Sequence, residues 1–432
     1  MNIRAVVFWL RDVLRGGGVI SKYSKEVKSY LESTDYIENE AQLKHILDYS
    51  SQNVEFFKPY SAYKSISDFP VINKIIIREN ENRFIAPGYD KEKLFKEETS
   101  GSTGTPLVIY QDGIKRRRAT ADTIVFSEYA GDEFGCKCYY SRVWNAHNRK
   151  SALLARIQNI VMQDSDKLGD ADLEAFITKL ERDRSKKSVL IFASSLVALY
   201  QYALRREKKP QAKIECFITM SESLPENVRV GVSELFNTVV VSRYSDCECG
   251  IIAQQCAHSN EYHVNTGSFY VEILKFDSDQ PAAEGEMGRI VVTDLYNHAM
   301  PLVRYDTGDV GIYALKSECG KGAKVLTRVD GRRVDCFYAT NGEMLSPYVI
   351  NNTMWRFTEL RQYQFVQNGK NDYLLKLNAQ PNSKIREEEL LYAIKDYIGD
   401  DANINVEYVD EIPLLASGKR KQVICNYNGK QS

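Results

Sequence analysis

Charge of one sign is what this 432-residue sequence lacks most plainly: 57 lysines and arginines stand against 58 aspartates and glutamates. A protein that grips nucleic acid needs a basic surface, so this balance argues against nucleic acid as the main partner. The local run Lys115 to Arg118 reads as a solvated helix face. Long apolar runs are missing too. Nothing approaches the roughly 20 apolar residues of a membrane span, and the stretch from Val189 to Tyr200 is short and holds Ser194 and Ser195. The opening "MNIRAVVFWLRDVLRGGG" has six apolar residues from Ala5 to Leu10 and no small-residue cleavage site, so no secretory leader is expected. Nine cysteines without a leader imply a reduced, cytoplasmic protein with mostly free thiols. The first helix could touch a membrane surface through Val6, Phe8, Trp9 and Leu10, but docking on its own domain is the plainer reading.

What is present is the pattern of an ordinary globular protein of two or three domains. Residues 20 to 65 look helical, with apolar spacing such as Leu43, Ile46 and Leu47. "FPVINKIIIRENENRFIAP" then predicts a short charged helix and a proline stop. A helix is expected from Lys115 to about Ala130, a strand in "CKCYYSRVW", and a helix from Asp172 to Arg184. "SVLIFASSLVALYQYALRR" reads as a strand turning into a helix, and "IECFITM", "NVRVGVSELF" and "TVVVSRYS" as strand, helix and strand. Such alternation indicates parallel α/β layers. After residue 260 strands dominate: "FYVEIL", "GRIVVTDL", "LVRYDTGDVGIYAL". Beyond "VDGRRVD" the composition resets to a small α+β region, with a helix at "EEELLYAIKDYI" and a strand around "INVEYV". The expected fold class is therefore α/β: a large N-terminal domain of α/β layers with a β-rich subdomain, residues 1–331, and a small C-terminal α+β domain, residues 332–432.

Five short elements stand out. "ETSGSTGTP" holds Ser100, Gly101, Ser102, Thr103, Gly104 and Thr105 ahead of a predicted strand from Leu107 to Tyr110. Its glycines permit positive φ, and its amides and hydroxyls suit phosphate oxygens. No Gly-Lys-Ser/Thr ends the run, so it is not a Walker loop. "VSRYSDCECG" places Tyr244 and Ser245 shortly before Glu248 at a strand end. "VRYDTGDVG" places Asp309 in an apparent turn, "VDGRRVD" offers Arg332, and "PLLASGKRK" offers Lys419. Each alone has an ordinary explanation as turn, surface charge or basic tail.

In this order and spacing they resemble the adenylate-forming superfamily of acyl ligases, specifically its phenylacetate–CoA ligase and capsular-polysaccharide CapK branch. "FPVINKIIIREN" resembles the segment that precedes the phosphate loop in that branch. The resemblance implies that Ser100 to Thr105 hold the β- and γ-phosphates of ATP. Ser221 and Glu222 would line the adenine pocket through main-chain contacts, and Tyr244 would stack on the adenine. Glu248 would bind Mg²⁺, Asp309 the ribose hydroxyls, and Arg332 the ribose or phosphate side. Lys419 would bridge the acid's carboxylate and the α-phosphate. The small domain would be mobile, turning between two half-reactions about a hinge just after Arg332, near Val334 or Asp335.

The implied substrate is a small carboxylic acid, with CoA as acceptor and a sugar amine as the alternative; a non-catalytic nucleotide-binding scaffold is the reading from a different class. Tyr139, Tyr140, Trp144 and His147 are candidates for the acyl pocket. The branch also implies a structural Zn²⁺ site, whose ligands would match Cys256, His263 and Cys319; Ser317 stands where a further cysteine is usual, leaving Cys249 or His258 for the fourth place. The protein is expected to be a monomer or homodimer.

Overall fold

A computed structural model describes the chain except residues 1, 34–37, 99–106, 145–147, 166–167, 322–323, 333–335, 346, 355, 358, 381–382, 414–420 and 428–432. The chain divides into two compact units, one of residues 1–224 and 229–329, the other of residues 225–228 and 330–432.

Three helices open the first unit: α1 (Ile3–Gly16), α2 (Val19–Glu32) and α3 (Glu40–Asn53). Gly17 and Gly18 both take positive φ, 63° and 74°, and reverse the chain between α1 and α2. The "NKIIIRE" segment forms α4 (Lys74–Glu79), started by Asn73, whose side chain accepts from the amides of Ile75 and Ile76. A hairpin follows. Strands β1 (Phe95–Glu98) and β2 (Val108–Gln111) pair antiparallel, Glu98 opposite Val108, so the serine- and glycine-rich segment is the connection of this hairpin.

The main sheet begins with β3 (Lys137–Arg142), β4 (Ile160–Asp164), β5 (Lys187–Phe192), β6 (Cys216–Met220) and β7 (Val239–Asp246). These five run parallel. β6 is buried along its whole length, as a near-continuous apolar run in a covered parallel sheet should be. At β8 (Gly250–Gln255) the direction reverses. β9 (Tyr262–Val264), β10 (Phe269–Leu274), β11 (Met287–Asp294), β12 (Tyr305–Ala314) and β13 (Val325–Arg332) complete the sheet. The strand order is β10-β11-β12-β13-β9-β8-β7-β6-β5-β3-β4.

The helix Gly113–Tyr129 corrects one expectation. Arg116 and Arg117 are exposed, but Lys115 and Arg118, three residues apart on one face, are buried. Lys115 Nζ lies 2.7 Å from Asp294 Oδ2, and Arg118 donates to Gly267 O at 2.6 Å and Ser268 Oγ at 2.7 Å. Half of this basic run is therefore an internal tie between helix and sheet.

The second unit carries the short pair β14 (Phe337–Tyr338) and β15 (Met344–Leu345), then β16 (Leu360–Gln367), β17 (Asp372–Ala379), β18 (Asn403–Tyr408) and β19 (Val423–Cys425). The last four form a sheet in the order β18-β17-β16-β19. The helices Pro347–Met354 and Glu387–Ile398 supply Ile350, Leu390 and Ile394 to a core with Phe365, Leu375 and Leu377.

Candidate active site

The turn from β7 to β8 is closed by Asp246, whose Oδ1 accepts from Cys249 N at 2.6 Å and Gly250 N at 3.4 Å. This turn carries Glu248 into the protein, where its side chain is only 2% exposed. One of its oxygens meets two partners: Lys74 Nζ at 2.7 Å and the Tyr305 hydroxyl, which donates at 2.8 Å. Both arrive through one backbone contact. Ile72 forms a parallel bridge with Tyr305, Ile72 N donating to Arg304 O at 2.9 Å and Asp306 N to Ile72 O at 2.8 Å. Two residues later Lys74 begins α4 and reaches the same carboxylate. A buried carboxylate needs such partners, because an uncompensated charge there is costly.

The surroundings titrate accordingly. Burial, reinforced by the charge of Glu248, pushes the Asp246 carboxyl up to about 8. The Tyr305 phenol is raised well above its ordinary value by burial and then by Glu248.

Tyr244 and Asp309, 65 residues apart, are brought together: the Tyr244 hydroxyl lies 2.9 Å from Asp309 Oδ2 and 3.2 Å from Thr307 Oγ1. Burial, then Asp309, raises the Tyr244 phenol well above its usual range. Its ring is 9% exposed and packs in the main core. Asp309 was expected in a turn. It lies within the bounds of β12, at the irregularity of the β11–β12 ladder between the pairs Val291–Asp306 and Arg289–Val310. Gly308 keeps turn-like geometry there, with φ at +82° and its amide donating to Asp306 Oδ1 at 2.9 Å, while Gly311 serves close approach: a Cβ on it would sit 2.9 Å from Arg328 O. Ser245 is half-buried at a register shift in the β7–β8 ladder, a local irregularity of the kind that re-aims side chains.

Ser221 follows β6 and holds φ at +69°, a strained value for a non-glycine residue. Next to it, Glu222 Oε2 accepts from Ser194 N at 2.9 Å and so ties the carboxyl ends of β5 and β6. In open α/β sheets ligands bind outside those ends, where the strand order switches. Ser221, Glu222, Tyr244, Ser245 and Glu248 all follow or end parallel strands there.

Several expected residues lie outside the described ones: Ser100, Gly101, Ser102, Thr103, Gly104, Thr105, His147, Val334, Asp335 and Lys419. Arg332 ends β13, and its side chain is likewise outside the description. Lys74 was not singled out by sequence reasoning. The available signal was its position in "FPVINKIIIREN", directly after a capping asparagine.

The proposed acyl-pocket aromatics split. Tyr140 and Trp144 meet edge to face at 5.2 Å, with the Arg142 guanidinium 5.7 and 5.5 Å from their ring centres. Tyr139 faces the other side of the sheet, where its hydroxyl donates to Asp183 at 2.8 Å and its ring meets Phe176. Alternation along a strand puts neighbours on opposite faces, so Tyr139 and Tyr140 do not line one pocket.

A second polar cluster lies at the far end of β8. The ligand atoms of Cys256, His263 and Cys319 all fall within 4.8 Å of one another. His263 Nε2 is 3.4 Å from Cys319 Sγ, while its Nδ1 is buried without a hydrogen-bond partner among the described residues. Burial lowers the imidazole to about 4, so it is neutral and able to ligate. Ser317 donates to Glu261 at 2.7 Å and closes the side where a further cysteine was sought. Among the described residues neither Cys249 nor His258 joins this group.

Comparison with known proteins bears on the fold and the branch. A family model described as the CapK C-terminal domain matches residues 337–426. Protein CapK of Staphylococcus aureus is 25% identical over 94% of this chain and 92% of its own length. A phenylacetate-coenzyme A ligase of Aromatoleum evansii is 23% identical over 40% of this chain and 42% of its own. The crystal structure of 2-hydroxyisobutyryl-CoA ligase in the postadenylation state superposes with a TM-score of 0.72 at 16% identity, covering 89% of this chain and 88% of that one. The fold is that of the adenylate-forming ligases. In sequence the likeness to CapK runs along nearly the whole chain, and the CapK C-terminal family match falls within the second unit.

Proposed function

We propose that the protein uses ATP to activate a small carboxylic acid as an acyl-adenylate, releasing pyrophosphate, and then passes the acyl group to CoA. The observation that carries this reading is the pair of contacts at the sheet's turning point. Tyr244 and Asp309 share a hydrogen bond, and Glu248, four residues after Tyr244, is held by Lys74 and Tyr305. Asp309 would accept from the ribose hydroxyls, with Tyr244 stacking on the base and Ser221 and Glu222 presenting main-chain groups to it. Ser100 to Thr105 would wrap the terminal phosphates, and Arg332 would contact the ribose or phosphate side.

Attack by a carboxylate on the α-phosphate brings two anions together, so the transition state calls for positive charge there. Lys419 would supply it from the C-terminal domain, residues 332–432, acting as a lid on the adenylate-binding domain, residues 1–331. Mg²⁺, when bound, neutralises developing phosphate charge. Glu248 is a hard oxygen donor suited to it, and Lys74 is already the cation at that carboxylate.

Cys256, His263 and Cys319 would hold Zn²⁺ in a structural role, since three soft donors converge there and the imidazole is neutral. The runner-up acceptor is a sugar amine, as the resemblance to the capsular-polysaccharide branch implies. A nucleotide-binding scaffold without catalysis is the opposing class.

ATP–pyrophosphate exchange across a panel of acids tests the reading. At least one acid should support exchange, and Lys419→Ala should reduce it by about 100-fold or more while nucleotide affinity changes little. Nucleotide binding with no exchange for any acid would favour the scaffold.

A further inference from the structure

The helix α1 has two apolar faces. On one, Phe8 and Trp9 pack against Phe134 at 5.0 and 5.6 Å, and Ala5 is buried. Asp12, on the same side, turns inward and caps α2, accepting from Ile20 N and Ser21 N. Opposite this docked face, Ile3, Val7, Leu10 and Leu14 are 76%, 60%, 56% and 82% exposed. At 3.6 residues per turn these four fall within about 60° of arc. Val13, also 60% exposed, widens the stripe. A surface helix ordinarily hides its apolar face and shows a polar one; this helix shows a second apolar face to solvent.

The flank of the stripe is basic. Arg4, Arg11 and Arg15 recur along one side and are all exposed, and Lys22 and Lys25 of α2 are exposed as well. Residues 1–25 hold those five cations and one acid, Asp12, which is buried. This excess sits in a chain whose formal net charge is −1. A neighbouring helix extends the surface. Gly135 O accepts from both Asn2 Nδ2 and Asn159 Nδ2, which sets the end of the helix Ala152–Ile157 beside the start of α1. Leu153, Leu154 and Ile157 of that helix are exposed too.

We propose that α1 docks in the plane of an anionic lipid surface, its apolar stripe among the acyl chains and its arginines at the headgroups. The charge pattern selects this occupant. An apolar stripe flanked by arginine with no exposed acid fits a surface that is apolar at depth and anionic above it. A second copy of this segment offers no exposed acid to meet those arginines. The helix would lie on the membrane, since among the described residues no helix is long and apolar enough to cross one.

Co-sedimentation of the full chain with vesicles tests this. Phosphatidylcholine vesicles containing 30% phosphatidylglycerol should bind at least about tenfold more protein than pure phosphatidylcholine, with the difference shrinking in high salt as surface charges are screened. Leu14→Glu with Val7→Glu should abolish binding, and replacing Arg4, Arg11 and Arg15 by glutamine should remove the preference for anionic lipid. Both sets alter exposed positions, so unchanged melting and unchanged pyrophosphate exchange should accompany them. Equal or absent binding of folded wild type to the two vesicle types would overturn the proposal. So would a wild-type dimer in light scattering that Leu14→Glu converts to monomer, which would give the stripe to a second copy.

Discussion

The two ends of β8 make an instructive pair. At its start Glu248 brings a carboxylate indoors; at its finish Cys256 joins His263 and Cys319. They are separated by about 20 Å of strand. The first end is charged and already answered by Lys74 and Tyr305. The second offers soft donors and, among the described residues, leaves His263 Nδ1 without a hydrogen-bond partner. A buried carboxylate cannot be left unpaired, whereas a neutral imidazole and thiols can wait for a metal at small cost. On the proposed reading one strand would carry a chemical site at one end and a structural clasp at the other, because donor hardness decides what each end attracts.

The sharpest way to break the comparison is to disable each end in turn. Glu248→Gln should lower ATP–pyrophosphate exchange by about 100-fold or more, while Cys256→Ser should leave exchange per folded molecule within about twofold. Reversed outcomes would interchange the two roles. Metal analysis sharpens the other end. Purified wild type should carry one zinc per chain, Cys256→Ser none, and the variant should melt about 5–10 °C lower; metal-free wild type with normal melting would leave the cluster as plain packing.

Smaller effects probe the charge balance at Glu248. Lys74→Met should cost about 1–2 kcal/mol in denaturant unfolding, discounted because the lysine side chain is 35% exposed. Mg²⁺ should then stabilise the variant more than the wild type; equal stabilisation would mean that lysine and metal do not share the site. The most gradual effect is in pH. The Asp246 carboxyl is raised in the folded protein, to about 8, so between about pH 4 and 8 the folded state binds more protons than the unfolded one. Stability from this group therefore falls as pH rises through that window, by at most about 1.4 kcal/mol per pH unit, and levels off above pH 8. Asp246→Asn should flatten that slope in unfolding titrations at pH 6 and 8; an unchanged slope would assign it to other groups.

Much of the architecture could be read locally. The strand "IECFITM", the strand-to-helix run "SVLIFASSLVALYQYALRR" and the helix "EEELLYAIKDYI" appear as β6, as β5 with the helix Ala193–Arg205, and as Glu387–Ile398. Their periodicities are properties of neighbouring residues. The site was legible only in part. Glu248, Tyr244 and Asp309 stood out as motif residues, and the turn signal at Asp309 proved to be a bulge inside a long strand, which local sequence does not distinguish from a free turn. Phe8 and Trp9 were named as possible membrane contacts and proved to be docked on Phe134, with the exposed stripe one face away.

Residue order alone determined the alternation of strands and helices, the turn that carries Glu248 and the chemistry available to each motif, since these depend on side-chain type and short spacing. Only tertiary structure decided that Ile72 would lie against Tyr305, that Lys74 would answer Glu248, and that Tyr244 would reach Asp309. Those partners are tens to hundreds of positions apart. Their meeting follows from burial and sheet register, which no local pattern encodes.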